Sequence, residues 1–378
     1  MVGCPPMKVL VVGPSWPFRG GIARTTTSLA EALANQNALA GFCVPFRQYP
    51  RWLYPGGEDR DEAACPRLPQ ANACFSLFDP LSWRFLRRAI KDLAPQALVL
   101  PHWTAAWAPL ELFLVRQGVP VFGVVHNPFD HSGAALSRWA SRAVLGRFRG
   151  FLTHAKSVAW QLSRWFPEKP LRVHPLPPPQ VTPVARHQAR EELGIAQDAV
   201  VFLFFGLVRP YKGLDVLLGA ALLLPKDRKW TLAVAGELWG EAGELEARLG
   251  DAFWRERLVF HPQWVPEEES KLWFSAADVV VLPYRRATGS AVAAQALAYG
   301  LPLVATRTGG LEEVVEEGVN GLLVEPSDVQ GLAKALEQLL DPEKRERLAT
   351  GATLLGRRWS WDSYASCLLD LIREGLAV

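Results

Sequence analysis

Histidines follow several of the short apolar, β-branched runs that predict β-strands. Five of the seven histidines stand directly after such a run or one residue later: His102, His126, His154, His174 and His261. Ligands of an open parallel sheet bind outside the carboxyl ends of its strands, so the first four are expected to point at one sheet edge. Alternatively, a strand-end histidine only caps backbone groups. His126 is the strongest functional candidate, because Asn127, Asp130 and His131 follow it, and a metal site has little support.

A pair of glycines, Gly20 and Gly21, precedes a helical segment after the first predicted strand, Lys8 to Val12. Glycines at the start of a helix let an oxygen-rich ligand approach the backbone amides, and the helix dipole attracts its negative charge. The loop matches neither the Gly-x-Gly-x-x-Gly nor the Walker pattern. It is therefore interpreted either as an anion-binding loop or as an ordinary turn.

Two cations follow Val200 to Phe205, the first predicted strand of the second half. Arg209 and Lys212 belong to the loop that begins at Gly206. Phosphates are suitable ligands for them, because arginine offers a planar fork of donors and lysine a point charge. The pattern predicts a phosphate-binding loop, and the alternative is a pair of solvated side chains.

A second anion site is predicted after the strand Val279 to Leu282. The segment Ala291 to Tyr299 predicts a helix of small residues, whose first turn offers backbone amides to an anion. Thr288 or Ser290 is expected to cap this helix. The candidate phosphate-binding residues here are Thr288, Gly289, Ser290 and Ala291.

The elements that must position these loops are short apolar strands alternating with helical segments, the pattern of parallel sheets covered by helices. The fold class is therefore α/β. The proline-rich stretch Pro175 to Pro183 predicts a stiff linker. We expect two domains, residues 1–180 and 185–358, with a last helix over 359–378 that packs back on the first. The region from about 45 to 80 has weak periodicity and predicts long loops.

Length and composition narrow the class of protein. At 378 residues, the chain exceeds the ~250–300 residues at which single cores stop growing. With 49% hydrophobic and 21% charged residues, it has the composition of a soluble protein, and no apolar stretch approaches the roughly 18 residues of a membrane span. Five cysteines without a Cys-x-x-Cys pair indicate a reducing compartment. With no visible signal peptide, we expect a cytoplasmic protein, located at the inner face of the membrane.

Charge is distributed unevenly along the chain. Residues 1–184 hold 20 Lys and Arg against 10 Asp and Glu, and the remainder holds 21 against 28. The basic first half suits an anionic acceptor or an anionic membrane surface, and no nucleic acid is expected as a partner. Its cations concentrate in Arg84 to Lys91 and Arg138 to Arg149, where interleaved aromatic residues resemble those of helices that lie on acidic lipid. A solvated helix face is the alternative.

Six motifs, in their order and spacing, resemble the retaining, nucleotide-sugar-dependent glycosyltransferases of the GT-B family 4 over nearly the full chain. They are Gly20-Gly21, His126-Asn127, Gly206 to Gly213, Ala277 to Tyr284, Ala298 to Glu313 and Val319 to Val324. Each motif alone is common, and their combination is specific. The resemblance implies two Rossmann-like, doubly wound parallel-sheet domains that face each other across a cleft.

The resemblance also implies that the first domain binds a glycan, lipid-linked or other acceptor and that the second binds a nucleoside diphosphate-sugar. Arg209 and Lys212 are expected to hold the pyrophosphate, with His126 near the transferred sugar. Cations and helix amides then stabilise the charge that develops on the leaving diphosphate, so no cofactor and no metal is required. The predicted substrate-binding residues are Gly20, Gly21, His102, Asn127, Gly206, Thr288, Gly289, Ser290, Ala291, Gln295 and Glu313.

The sequence departs from the family where two glutamates separated by seven residues are usual. Ala287 and Gln295 occupy these positions, and only Gln295 can hydrogen-bond a ribose hydroxyl. The run Glu58 to Asp61 contains Asp-x-Asp, the metal-holding motif of other glycosyltransferases, and is expected to be a solvated loop. The alternative functions are a sugar-nucleotide epimerase on the same fold and a catalytically silent nucleotide-binding protein.

Overall fold

A computed structural model describes residues 7–47, 60, 68, 71–129, 135–238 and 252–377. The chain forms two compact units, one of Met1–Leu176 with Ser360–Val378 and the other of Pro177–Trp359. The first boundary therefore falls in the proline-rich stretch, and the last helix belongs to the first unit. None of the described helices is long and apolar enough to cross a membrane.

Seven parallel strands form the sheet of the first unit, in the order β3-β2-β1-β4-β5-β6-β7. They are β1 Val9–Val12, β2 Leu39–Pro45, β3 Ala71–Phe75, β4 Ala97–His102, β5 Val121–Val125, β6 Gly150–Thr153 and β7 Leu171–Val173. The sequence pattern missed β2 and β3, and β3 contradicts the prediction of long loops from about 45 to 80. As an edge strand of mostly small, partly exposed residues, β3 lacks the apolar run that marks a buried strand.

Two helix layers cover this sheet. The helices are α1 Gly21–Asn35, α2 Trp83–Leu93, α3 Ala108–Leu114, α4 Ala135–Leu145, α5 Lys156–Trp165 and, at the end of the chain, α14 Trp361–Ala377. One-turn 3₁₀ helices, Pro80–Ser82 and Ala105–Trp107, precede α2 and α3. Leu10 and Val12 of β1 face the layer of α2 to α5, whereas Val9 and Val11 face α1 and α14.

Six parallel strands form the sheet of the second unit, in the order β10-β9-β8-β11-β12-β13. They are β8 Val200–Phe205, β9 Trp230–Ala235, β10 Leu258–His261, β11 Val279–Leu282, β12 Leu303–Thr306 and β13 Gly321–Val324. The predicted strands Val200 to Phe205 and Val279 to Leu282 coincide with β8 and β11, since both are apolar runs of the kind that burial on both faces requires. The prediction of an α/β fold with two parallel sheets is confirmed.

Helices cover both faces of the second sheet as well, with core residues on each side. They are α6 Arg186–Glu192, α7 Leu214–Ala221, α8 Ala252–Arg255, α9 Glu267–Ala276, α10 Ala291–Ala298, α11 Leu311–Val314, α12 Val329–Gln338 and α13 Pro342–Arg358. A one-turn 3₁₀ helix, Pro210–Lys212, joins β8 to α7.

The strand order of each sheet reverses once, between β1 and β4 and between β8 and β11. Chain connections leave in opposite directions at such a switch point, which opens a crevice at the carboxyl ends of the strands where ligands bind. The loop carrying Gly20 and Gly21 follows β1. The loops carrying Lys212 and Ser290 follow β8 and β11, so the two predicted anion-binding loops share one switch point.

Candidate active site

The loop after β8 brings the ammonium of Lys212 back over the end of its own strand. Gly206, with φ 93°, begins this loop, and a Cβ atom at that position would lie 3.4 Å from Nζ of Lys212. Lys212 is only 9% exposed, and its ammonium lies 5.4 Å from the ring centroid of Tyr284. The cation is thus held against a bare stretch of backbone and an aromatic face.

The loop after β11 is fastened to the loop after β8. The backbone amide of Arg285 donates to the carbonyl of Tyr211 at 2.7 Å, and the Arg285 guanidinium forms two hydrogen bonds, of 2.9 and 2.6 Å, with Asp215. Gly213, with φ 68°, passes so close to Pro283 that a Cβ would lie 2.1 Å from its carbonyl oxygen. Glycine is therefore required here for both conformation and space.

The start of α10 completes the switch point. Ser290 is its N-cap, and the Ser290 hydroxyl accepts a hydrogen bond from the amide of Ala293 at 3.2 Å. Val292, in the first turn, lies 3.6 Å from the position that a Cβ on Gly206 would take. Thr288 and Gly289 immediately precede the cap. The start of α10 and the Lys212 ammonium therefore both lie beside Gly206, and the amides of a helix start and a cation are the groups that an anion site requires.

Burial, with a smaller contribution from the charge of Arg209, lowers the pKa of Lys212 to about 8. Arg209 is partly buried and precedes the one-turn helix Pro210–Lys212. No carboxylate forms an ion pair with Lys212 among the residues that the structure describes. A bound anion would restore the usual pKa, since an opposite charge favours the protonated amine.

The two positions where the family usually has glutamates lie on either side of the α10 cap. The carbonyl of Ala287 contacts the turn that leads to α11, where a Cβ on Gly309 would lie 1.8 Å from its oxygen. Gln295 is buried, and its amide nitrogen donates to Ser270 Oγ at 3.3 Å. Glu313 is partly buried within α11.

Four histidines stand at the carboxyl ends of the neighbouring strands β4 to β7 in the first unit. The rings of His126 and His154 lie 4.6 Å apart, and Tyr364 of α14 lies 5.6 Å from His154 and 5.3 Å from His174. The strands thus bring together the histidines that the sequence pattern placed at one sheet edge, and α14 adds a tyrosine that the pattern did not indicate.

His102 differs from its neighbours because its ring is fully buried. Nδ1 lies 2.8 Å from Glu111 Oε1 and Nε2 lies 3.3 Å from Ser141 Oγ. Its carbonyl oxygen accepts the backbone amides of His126 and Asn127. No atom of the ring is accessible in this structure, and the carbonyl of His102 positions the next strand end. Its role in substrate binding stays a prediction.

His126 and His154 are neutral histidines. Burial first, and then the charges of His154 and His102, lower the pKa of His126 well below 6.5. Burial, with a smaller effect of His174, lowers the pKa of His154 to about 4. Nε2 of His126 is buried and has no hydrogen-bond partner within the described ranges. In the neutral ring, one nitrogen is a hydrogen-bond donor and the other an acceptor.

The glycine loop at the first switch point is open to a ligand. Gly20, with φ 116°, is the N-cap of α1, and a Cβ built on it would meet no atom within 4 Å. Gly21 begins the helix. Asp130, His131 and most of the Asp-x-Asp run from Glu58 lie outside the described residues.

The sequence analysis did not indicate the residues that connect the loops around Lys212 and Ser290 in the second unit. Tyr284, Asp215 and Gly309 were not among the candidate site residues, although Tyr284 ends the motif Ala277 to Tyr284 and Gly309 lies within Ala298 to Glu313. Asp215 and Arg285 are 70 residues apart, so no local pattern could have paired them.

Both halves of the chain match known families. Residues 19–179 match the model of Glycosyltransferase Family 4, and residues 185–354 match that of Glycosyl transferases group 1. A D-inositol 3-phosphate glycosyltransferase of Xylanimonas cellulosilytica is 34% identical over 296 residues, which cover 71% of this chain and 69% of the relative. The chain belongs to the GT-B glycosyltransferases. This confirms the family that the six motifs indicated.

Further relatives agree with this assignment. A D-inositol 3-phosphate glycosyltransferase of Catenulispora acidiphila is 33% identical and covers 73% of this glycosyltransferase, over 71% of its own length. The relatives from Streptomyces griseus and Acidothermus cellulolyticus are each matched over 63% of their length. The chain thus spans about two thirds of the curated relatives.

Solved structures share the fold of the glycosyltransferase. Sucrose-phosphate synthase of Thermosynechococcus elongatus superposes with a TM-score of 0.77 at 19% identity, covering 98% of this chain and 99% of that one. HepE of Anabaena, solved in complex with UDP, has a TM-score of 0.75 at 17% identity, covering 97% of this chain and 100% of that one. At these identities the likeness concerns the GT-B fold.

Proposed function

We propose that this glycosyltransferase moves a sugar, with retention of its anomeric configuration, from a nucleoside diphosphate-sugar to a glycan or lipid-linked acceptor. The observation that carries the proposal is the buried ammonium of Lys212 beside Gly206 and the start of α10. A buried cation without a carboxylate partner is costly unless an anion compensates it. A diphosphate supplies that anion.

The chemistry follows from where charge develops. As the bond between the anomeric carbon and the diphosphate oxygen breaks, negative charge grows on the leaving group. Lys212, Arg209 and the first amides of α10 stabilise this charge in a site that is shielded from water. These groups also bind the diphosphate of the donor before reaction, so they contribute to both donor affinity and rate.

The acceptor side is proposed for the first unit. Nε2 of neutral His126, which has no hydrogen-bond partner among the described residues, is the group proposed to meet a sugar hydroxyl once the acceptor exposes it. Gly20 caps a helix start at which a Cβ would meet no atom within 4 Å. Retention is supported by the Family 4 match. The curated relatives are named for a phosphorylated inositol, and an anionic acceptor fits the basic composition of residues 1–184.

A diphosphate-sugar donor is supported by the UDP complex of HepE and the ADP complex of Arabidopsis starch synthase IV.

Nucleotide binding tests the phosphate assignment directly. UDP, GDP and ADP are screened by thermal unfolding, because a ligand at 100 times its dissociation constant adds about 2.7 kcal/mol to stability. The best nucleotide is then titrated by calorimetry into Lys212→Ala. A lost charge-assisted hydrogen bond costs about 1.5–3 kcal/mol, so affinity should fall about 10- to 100-fold.

Lys229→Ala is the matched control, because Lys229 belongs to the same unit but is exposed and pairs with Asp198. It should bind nucleotide like the unaltered enzyme. Equal affinity in Lys212→Ala would refute the phosphate site, and binding without sugar transfer to any acceptor would refute the transfer reaction.

A further inference from the structure

The start of α2 exposes three large apolar side chains. Phe78 is 52% exposed, Leu81 78% and Phe85 44%. The helix buries Leu86 and Ile90 against the sheet, whereas Leu81, in the one-turn helix before α2, and Phe85, in its first turn, are exposed. These side chains leave about half or more of their surface in water, so they stabilise the fold less than buried ones do.

Cations stand among these apolar residues. Arg84, Arg88 and Lys91 recur at helical spacing on the outward side and are all exposed. The guanidinium of Arg84 lies 4.9 Å from the ring centroid of Phe85, so a charge and an aromatic face are presented side by side. Within α2 itself, Asp92 is the single carboxylate, and it pairs with Arg88 at 3.4 Å. We name Phe78, Leu81, Arg84, Phe85, Arg88 and Lys91 the α2 patch.

The same composition continues along the helix layer that contains α2. Leu136 and Trp139 of α4 are largely exposed. The described helices α2 to α5 contain two acidic residues, Asp92 and the buried Glu111, and exposed Asp79 precedes α2. In the opposite layer, α1 and α14 together hold four acidic residues against two basic ones. Positive charge is therefore concentrated on one side of the sheet, and a partner for that side must be anionic.

The position of the α2 patch relates it to the proposed acceptor site. Every helix of this layer follows a parallel strand, so its first turn lies at the carboxyl edge of the sheet. Phe78 and Leu81 precede α2, and Leu136 and Trp139 lie in the first turns of α4. The Gly20 loop and His126 lie at this same edge of the first unit.

We propose that the α2 patch docks the first unit on an anionic lipid bilayer. Exposed Leu, Phe and Trp side chains interleaved with long cationic side chains suit the boundary between acyl chains and headgroups. The apolar side chains contact the acyl chains there, and the cations contact the anionic headgroups. Docking at this edge brings a lipid-linked acceptor to the proposed acceptor site. The proposal rests on the proposed function only for that choice of acceptor.

Sedimentation with vesicles tests the docking. Two kinds of vesicle are compared at low and high salt. One is phosphatidylcholine with roughly 30 mol% of the anionic lipid phosphatidylglycerol, and the other is pure phosphatidylcholine. The enzyme should bind only the anionic vesicles, and less at high salt. Replacing Arg84, Arg88 and Lys91 by Gln should lower the partition coefficient about 100-fold, at about fivefold per cation.

A second variant separates insertion from simple attraction between charges. Leu81→Ser with Phe85→Ser keeps all cations and should still lower binding at least about tenfold, because two buried apolar side chains are lost. Matched controls come from the second unit. One control variant replaces the exposed Leu222 and Leu223 by Ser. Another replaces three exposed cations, Lys226, Arg228 and Lys229, by Gln. Both control variants should bind vesicles like the unaltered enzyme.

The outcomes are decisive in both directions. Absence of binding to anionic vesicles at low salt, or equal binding by the patch and control variants, overturns the docking. Self-association of the unaltered enzyme that the Leu81→Ser, Phe85→Ser variant abolishes, without vesicle binding, assigns the patch to a protein interface and also overturns it. Nucleotide binding, measured on every variant, should not change, so failure of docking is distinguishable from failure of the proposed function.

Discussion

Replacing Lys212 by Met should stabilise the second unit while removing its affinity for diphosphate. Burial lowers the pKa of this ammonium from 10.5 to about 8. A shift of this size means that the charged form is disfavoured in the folded state by about 3 kcal/mol, at about 1.4 kcal/mol per pKa unit. Methionine has a similar length, carries no charge and keeps the contact with Tyr284. Loss of the cation–π interaction, worth about 0.5–2 kcal/mol, offsets part of the gain.

The net expectation is a variant about 1–3 kcal/mol more stable at pH 7, where the destabilisation of the unaltered enzyme is fully present. The difference should shrink as pH rises from about 8 towards 10.5, because in that interval Lys212 has lost its proton in the folded enzyme but still holds it in the unfolded chain. Urea unfolding at pH 7 and pH 10 measures both effects. Lys229→Met, at an exposed ion pair, should change stability by less than about 0.5 kcal/mol.

Ligand should offset this difference. With nucleoside diphosphate at 100 times the dissociation constant of the unaltered enzyme, that enzyme gains about 2.7 kcal/mol, whereas Lys212→Met, with about 10- to 100-fold weaker binding, should gain only about 0.4–1.4 kcal/mol. A Lys212→Met variant that is less stable than the unaltered enzyme at pH 7 would refute the reasoning, since the ammonium would then be compensated within the protein and would not need an anion.

Two further predictions concern the backbone at the switch point and the buried histidines. Gly213→Ala should destabilise the enzyme by more than about 2 kcal/mol, because a Cβ would meet the Pro283 carbonyl at 2.1 Å. Gly194→Ala, at a similar φ of 66° in open space, should cost only about 1 kcal/mol. Chemical denaturation compares the two variants, and equal costs would contradict the close approach at Gly213. Stability should fall as pH drops from 6.5 towards 4, because His154 stays neutral in the folded enzyme and gains a proton only on unfolding. His154→Gln should flatten this slope in urea titrations, and an unchanged slope would place the linkage elsewhere.

The proposed anion site could be predicted from the sequence because its signals are local. A strand, a glycine and two cations follow one another within the segment from Val200 to Lys212, and the switch-point rule then places this loop beside the helix at Ser290. The burial of Lys212 was not predictable, since it involves Tyr284, which is distant in sequence. Nothing in the local pattern distinguishes this lysine from one in solvent.

The histidines illustrate the opposite limit. Their common position after strands predicted a shared sheet edge correctly, but the direction of each ring depends on neighbouring helices. His102 turns inward because Glu111 and Ser141, on α3 and α4, provide partners for both nitrogens. His154 instead meets Tyr364, which is contributed from the far end of the chain.

The last helix has a consequence for how the enzyme is made. Tyr364, Leu368, Leu371 and Ile372 of α14 are fully buried in the first unit, although all residues of the second unit precede them in the chain. During synthesis, the residues of the first unit that precede α14 therefore emerge from the ribosome without one side of their core. The first unit can complete its core only after the whole second unit has been synthesised. Expression of residues 1–176 alone would leave β5 and β6 without that cover, so an independently folding amino-terminal fragment must carry α14 as a grafted segment.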